Sequence, residues 1–184
     1  EQLKKNSELT VADKNLSEQI RKVFRMKKGG LVALLDNSGI SLEAEIVDFG
    51  KDTIDFSVSD REVSSYIPER EVWLYVSIPK KDKFELIVQK ATELGVSHIV
   101  PVISERTEKQ NIKWERVEKI AKEASEQSAR GVRPVIHETE SLRDILESFK
   151  ENNQKDNVTD NLYALHMSGE KKFSEIKNIP DGKS

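Results

Sequence analysis

The sequence contains no cysteine. That excludes disulfides and thiolate zinc sites and fits a reducing compartment, the cytoplasm. No apolar run approaches the ~18 residues that a membrane span needs, and the N-terminus is polar and charged, unlike a signal peptide. No membrane partner is expected. An excess of positive charge is also missing: the formal net charge is −3, so the chain as a whole does not advertise nucleic-acid binding. The histidines, His98, His137 and His166, lie too far apart to suggest a ligand set, and no metal is expected. There is no G-x-G-x-x-G, P-loop or nucleophile elbow, no internal repeat and no low-complexity tract. What is present is 184 residues, 34% charged and 36% hydrophobic. This is the composition of a soluble chain with a moderate core, forming one ordinary domain or two small ones.

The most informative stretch runs from Val72 to Ile103. Val72 to Ile78 is apolar on both faces, as a strand covered by helices is. Asp82 is a suitable N-cap. Phe84, Ile87, Val88, Ala91 and Leu94 fall on one helical stripe, and Gly95 sits where a helix takes a left-handed residue at its exit. Val96 to Ile103 is a second apolar run. Two strands joined by one helix make a parallel, right-handed βαβ crossover.

Upstream, the period is different. Residues 1 to 16 show no clear periodicity. Ser17 is expected to cap a short helix from Glu18 to Met26, closed by Lys28-Gly29-Gly30. Leu31 to Leu35 is a short strand, and Asp36-Asn37-Ser38-Gly39 is strong turn chemistry. Leu42, Ala44 and Ile46, then Ile54, Phe56 and Val58, alternate with polar residues as half-buried strands do. Such a succession predicts an antiparallel meander, a small barrel. Arg61 to Arg70 reads as the linker. Downstream of the βαβ unit, a helix over about 113 to 129 presents Trp114, Val117, Ile120, Ala121, Ala124 and Ser128. Val132 to His137 follows as a strand, and Ser141 caps a helix carrying Leu142, Ile145, Leu146 and Phe149. Residues 150 to 160 read as a solvent loop, Asn161 to Met167 as a strand, and Phe173 and Ile176 as part of a short helix. Trp73 and Trp114 read as core.

Residues 18 to 28 hold Arg21, Lys22, Arg25, Lys27 and Lys28 against Glu18, a local net charge of +4. Such a run can hold phosphates; it can equally be a solvated helix end whose cations complement the dipole. Lys80, Lys81 and Lys83 occupy the turn after the first βαβ strand, where phosphate could dock or where they serve solubility alone.

Several stretches, in order, resemble one family. They are Ile20 to Gly29, Asp36 to Gly39, Glu43 to Ile46, Pro79 to Pro101, Ser104-Glu105-Arg106-Thr107, and Ile120 to Arg130 with its Ala-Ser-Glu-Gln-Ser-Ala-Arg end. The chain resembles the bacterial 16S ribosomal RNA uridine-N3 methyltransferases, the ribosomal small-subunit methyltransferase E family. The resemblance covers about residues 17 to 184. It implies a fold of class α/β: a PUA-like RNA-binding barrel over 1–70, then the N-terminal part of a SPOUT methyltransferase domain over 71–184. It further implies methylation of N3 of a uridine, S-adenosylmethionine as the donor, 16S rRNA or the small ribosomal subunit as partner, and a homodimer. The family's glycine-rich donor loops have no counterpart here. The donor site and its knot are therefore expected beyond Ser184, and a chain without them is expected to be inactive. The first residue is Glu rather than Met, and the last seven read as a loop leading into a strand, so both ends are expected to be cut. The family's N-terminal His falls at Gln19 and its Gly-Asp at Gly29-Gly30.

Against that resemblance, four residues stand out as site candidates. Arg106 lies just past a strand's carboxyl end, where open α/β sheets place ligands, although it could pair with Glu105 or Glu108. Arg130 closes a helix, where it either meets substrate RNA or complements the dipole. It is expected to lie outside the core. Glu123 and Gln127 share a helix face at i, i+4. Uridine N3 must lose a proton, and a carboxylate or polar network near the base can take it; Glu123 could instead pair with Lys119 or Lys122. Two other classes remain open: a non-catalytic rRNA-binding module, and a small-molecule-binding α/β protein that no motif supports.

Overall fold

The structure is a computed structural model that describes residues 7–63, 70–105, 107, 112–155 and 162–165. These fall in two compact units. One takes the described part of 1–67 together with Ala121–Arg133, the other the described part of 68–120 together with 134–184.

In the first unit β1 (Ser7–Ala12), β2 (Leu31–Leu35), β3 (Ile40–Phe49) and β4 (Thr53–Val63) form an antiparallel sheet in the order β1-β4-β3-β2. The alternation of β3 and β4 puts Leu42, Ala44, Ile46, Ile54, Phe56 and Val58 into one core with Ile20, and Ile46 faces Phe56 across the ladder. The described pairings form an open path from β1 to β2, and a closed barrel is not among them. β1 lies where the sequence before residue 17 shows no clear periodicity. Leu9 and Val11 alternate with exposed polar neighbours and pack against the core, a pattern too short to stand out at a charged terminus.

The helix that follows also begins earlier than expected. Asp13, not Ser17, is its N-cap: Asp13 Oδ1 accepts from Asn15 N at 2.8 Å and Leu16 N at 3.1 Å. α1 (Lys14–Glu18) then widens into a π-helical turn, Gln19–Val23, and Ser17 is buried inside the helix. Past the turn, Gly30 is held against β3. A Cβ there would meet the Lys27 carbonyl at 2.9 Å, and Ile46 N donates to Gly30 O at 2.9 Å.

The second unit contains the expected crossover. β5 (Trp73–Ser77) and β6 (His98–Ile103) pair in parallel with Trp73 opposite His98, joined by α2 (Lys81–Glu93). Phe84, Val88 and Ala91 are buried. Two details differ. Lys80 occupies the N-cap without a side-chain bond, and Asp82 lies in the first turn, where its charge still complements the dipole. Leu94 is 84% exposed because it is the C-cap residue, off the stripe. Thr92 is buried instead, with its hydroxyl on Val88 O at 2.8 Å. Gly95 adopts φ +90 as the exit requires.

β7 (Val135–Ile136) pairs with the start of β6 and β8 (Glu140–Ser141) with its end, two pieces of one interrupted neighbour. α3 (Trp114–Gln127) contributes residues to both units. In α4 (Leu142–Lys155), Ser141 Oγ accepts from Asp144 N at 3.1 Å, the cap expected. α4 runs on to Lys155 where a loop was expected from 150, since no glycine or proline interrupts it. Residues 162–165 carry no strand. Most of the predicted linker, and the helix predicted around Phe173 and Ile176, lie outside the described residues.

Candidate functional site

The basic run divides into two kinds of cation. The Arg21 guanidinium lies 4.7 Å from the Phe49 ring centroid and its Nη2 donates to Gly50 O, so it ties the π-helical turn to the end of β3. Lys22 bridges Glu18 at 3.0 Å and Lys28 bridges Asp48 at 2.7 Å. Hydrogen bonds from these ammonium groups, first of all, hold the Glu18 and Asp48 carboxyls below the usual range. Arg25 and Lys27 are exposed and have no side-chain partner among the described residues. Between these cations Val23 is 70% and Phe24 59% exposed, an apolar pair that residue patterning assigned to nothing.

The second candidate region is the exit of α3. Ala129 adopts φ +53; Arg130 N donates to Ser125 O at 2.9 Å and Ala129 N to Glu126 O at 3.3 Å. This is the paired bonding of a left-handed helix end. Arg130 follows directly and is 5% exposed, which corrects the expectation that it lies outside the core. Burial pushes its guanidinium below its ordinary value, though it remains a cation. Glu123 and Gln127 are exposed on the preceding turns. The carboxylate and amide thus face solvent while the guanidinium is enclosed. The β2–β3 hairpin tip grips the chain after this exit: Asn37 Oδ1 accepts from Arg133 N at 2.7 Å and from Arg133 Nε at 3.4 Å, and Gly39 N donates to Gly131 O at 3.2 Å.

Past the carboxyl end of β6 the polar groups turn to one another. Thr107 Oγ1 accepts from Ser104 N at 2.9 Å and lies 3.0 Å from Ser104 Oγ, while Thr107 N donates to Ser104 O at 2.9 Å. Arg106 lies outside the described residues. Lys80 and Lys83 are exposed at the start of α2, where Lys80 O accepts from Lys83 N at 2.8 Å. The Lys81 backbone begins that helix; its side chain lies outside what is described.

The fold also gathers residues that sequence distance hid. His98 Nδ1 lies 2.9 Å from His137 Nε2, and His98 Nε2 lies 2.5 Å from Glu71 Oε1. Trp73 stacks on His98 at 3.9 Å and Tyr75 at 6.3 Å, with Phe149 edge-on to Tyr75 at 5.8 Å. A carboxylate only accepts, so His98 Nε2 is the donor in its contact with Glu71. Trp73 is 44% and Trp114 40% exposed, against the expectation that both are core. Among the described residues no cluster of acids and histidines could hold a metal ion, and no helix is long and apolar enough to cross a membrane.

The chain is similar to known proteins. The family model described as RNA methyltransferase domain matches residues 67–184. Ribosomal RNA small subunit methyltransferase E of Rickettsia conorii is 29% identical over 177 residues, covering 96% of this chain and 68% of the relative. The protein of that name from Bacillus subtilis is 30% identical, over 70% of this chain and 53% of the relative. A crystal structure of the Neisseria gonorrhoeae ribosomal RNA small subunit methyltransferase E, bound to S-adenosyl methionine, superposes with a TM-score of 0.70 at 26% identity. It covers 79% of this chain and 61% of that one. The chain thus spans about half to two thirds of the length of these proteins.

Proposed function

Because this chain belongs to the RNA methyltransferase domain family, which its residues 67–184 match, we propose that its protein methylates small-subunit ribosomal RNA at N3 of a uridine. The match across the βαβ unit carries the reading, supported by the small-subunit methyltransferases it resembles. S-adenosylmethionine is the proposed donor, since the Neisseria relative binds it. The described residues do not themselves fit that group. The turn after β6 closes on itself through Ser104 and Thr107, and the segment after β5 holds Pro79, which has no N–H to offer.

What this chain's own residues would do is bind and orient the RNA and receive a proton. The exposed cations Arg25, Lys27, Lys80 and Lys83 hold phosphates without regard to sequence. Arg106 contacts the target nucleotide. Glu123, exposed beside Gln127, is the group that would accept the proton of uridine N3. Arg130, enclosed as it is, fixes the chain that leaves α3. The acting form is a homodimer in the cytoplasm. The self-closed turn after β6 favours, for the described residues alone, RNA binding without chemistry.

The deciding experiment supplies labelled S-adenosylmethionine and small ribosomal subunits and maps the product by mass spectrometry. Label on uridine N3 is expected, and Arg106→Ala should lower the rate by about ten- to a hundredfold, the loss of one charged contact in the transition state. Label on another atom or on protein would overturn the reading. Calorimetry of this 184-residue chain with the donor should show no saturable binding.

A further inference from the structure

The tip that follows the π-helical turn is built for more than phosphate. Phe24 N donates to Gln19 O at 3.0 Å, and Met26 N reaches back to Ile20 O at 3.0 Å. The residue between them, Arg25, has φ +53, a conformation that suits glycine and is unfavourable for a side chain. Backbone strain held at one residue invites a functional explanation. Met26 packs against the core of the first sheet, which anchors the tip from below. Above it stand Val23 at 70% and Phe24 at 59% exposure, flanked by Lys22, Arg25, Lys27 and Lys28.

An exposed aromatic ring beside Arg25 and Lys27, the two of these cations without a side-chain partner among the described residues, matches one chemistry closely. Single-stranded RNA offers both an unpaired π-face and a phosphate on every residue. A duplex hides its bases, and a protein partner would need anionic charge to face Arg25 and Lys27. We propose that Phe24 stacks on an unpaired nucleobase of the RNA while Arg25 and Lys27 hold the phosphates on either side, making this tip a reader of single-stranded segments. The proposal rests on the RNA reading above and assigns its first contact. Arg21 takes no part, because its guanidinium is committed to Phe49 and Gly50.

The test measures binding of the whole chain to labelled oligouridylate and to an RNA duplex across a salt series. Phe24→Ala should weaken oligouridylate binding about tenfold with an unchanged salt slope, unchanged duplex binding and an unchanged melting temperature. Arg25→Gly should relieve the backbone and raise the melting temperature, yet weaken binding and flatten the salt slope by about 0.7. Phe24→Ala binding oligouridylate as tightly as the parent would overturn the stack. If the parent binds duplex and single strand alike, with Arg25→Gly still flattening the slope, the RNA reading survives and the single-strand proposal fails. If the parent binds neither RNA, both fail for this tip. A dimer of the parent that Phe24→Ala dissolves would make the tip an interface between copies and also overturn the proposal.

Discussion

Two helix exits in this chain use the same backbone device to opposite ends. After the π-helical turn Arg25 itself takes the left-handed position and its guanidinium is exposed. After α3 Ala129 takes it, and the arginine one residue later is enclosed at 5% exposure. A third exit, after α2, uses Gly95 with φ +90 and the same pair of bonds, Val96 N to Ala91 O and Gly95 N to Thr92 O. Glycine is the inexpensive solution, and α2 adopts it. The other two carry a side chain where it is unfavourable by ~1 kcal/mol. The position of the arginine relative to the left-handed residue decides whether the exit presents a cation to solvent or encloses one.

The sharpest way to break this comparison is to truncate the enclosed cation. Arg130→Ala should destabilise the chain by about 2 kcal/mol or more, because packing along the side chain is lost from a closed site. Arg130→Met, which keeps the apolar stem, should recover most of that. Thermal melts of both variants decide it. If Arg130→Ala melts like the parent, the guanidinium is not enclosed in solution and the two exits do not differ. If Arg130→Met keeps the parental melt but abolishes methylation, Arg130 belongs to the site as well as to the fold.

The burial of Arg130 could not be read from sequence, and the reason is general. An arginine at the end of an amphipathic helix has the same local pattern whether it faces solvent or the loop beyond. Here the chain just past Arg130 is held by a hairpin tip, Asn37 to Gly39, which bonds Arg133 and Gly131 and lies nearly a hundred residues upstream. What was legible had a period. The stripe Phe84, Val88, Ala91 and the alternation Leu42, Ala44, Ile46 record their burial in spacing, so the crossover and the meander follow directly. Leu94 escaped because helix period continues past a C-cap that geometry ends. The contact of His98 with Glu71 and His137 depends on strand register, which periodicity leaves open. Of the candidate site, the basic run was visible as charge. Its division into committed Arg21 and exposed Arg25 was not, because that depends on where Phe49 lies in space.

The hairpin grip offers a finer test. Asn37 contributes a side-chain acceptor and also tolerates φ +66. Asn37→Gly keeps the backbone and removes only the acceptor, so it should cost about 1 kcal/mol. Asn37→Ala adds the strain of the left-handed position and should cost about twice that. Equal melting temperatures for the two variants would show that the backbone at this position carries no strain. Hydrogen exchange of the Arg133 amide, the donor to Asn37, should quicken in both.

Relieving the α3 exit should have a smaller effect, of opposite sign. Ala129→Gly should stabilise by ~0.5 kcal/mol, the left-handed relief less the added freedom of glycine in the unfolded chain. A fall in melting temperature would show that the Ala129 methyl packs usefully and that this exit is not strained as the comparison requires.

The smallest effect expected is from the turn that holds the hairpin tip in shape. Asp36 Oδ1 accepts from Ser38 Oγ at 2.6 Å and from Ser38 N at 2.8 Å. The side-chain bond from Ser38, first of all, keeps the Asp36 carboxyl below the usual aspartate range. A carboxylate whose folded value is depressed binds fewer protons folded than unfolded. Its contribution to stability is therefore present above the ordinary aspartate value, about 3.9, and is lost as pH falls below that through the folded value. Asp36→Asn should accordingly lower the melting temperature slightly at neutral pH and converge with the parent in strong acid. The group is exposed, so the difference is small and screened little by salt, being a hydrogen bond within one turn rather than an ion pair. If the two melting curves stay apart below the folded value, the neutral Asp36 still holds the turn, and the order at the Asn37 grip does not depend on its charge.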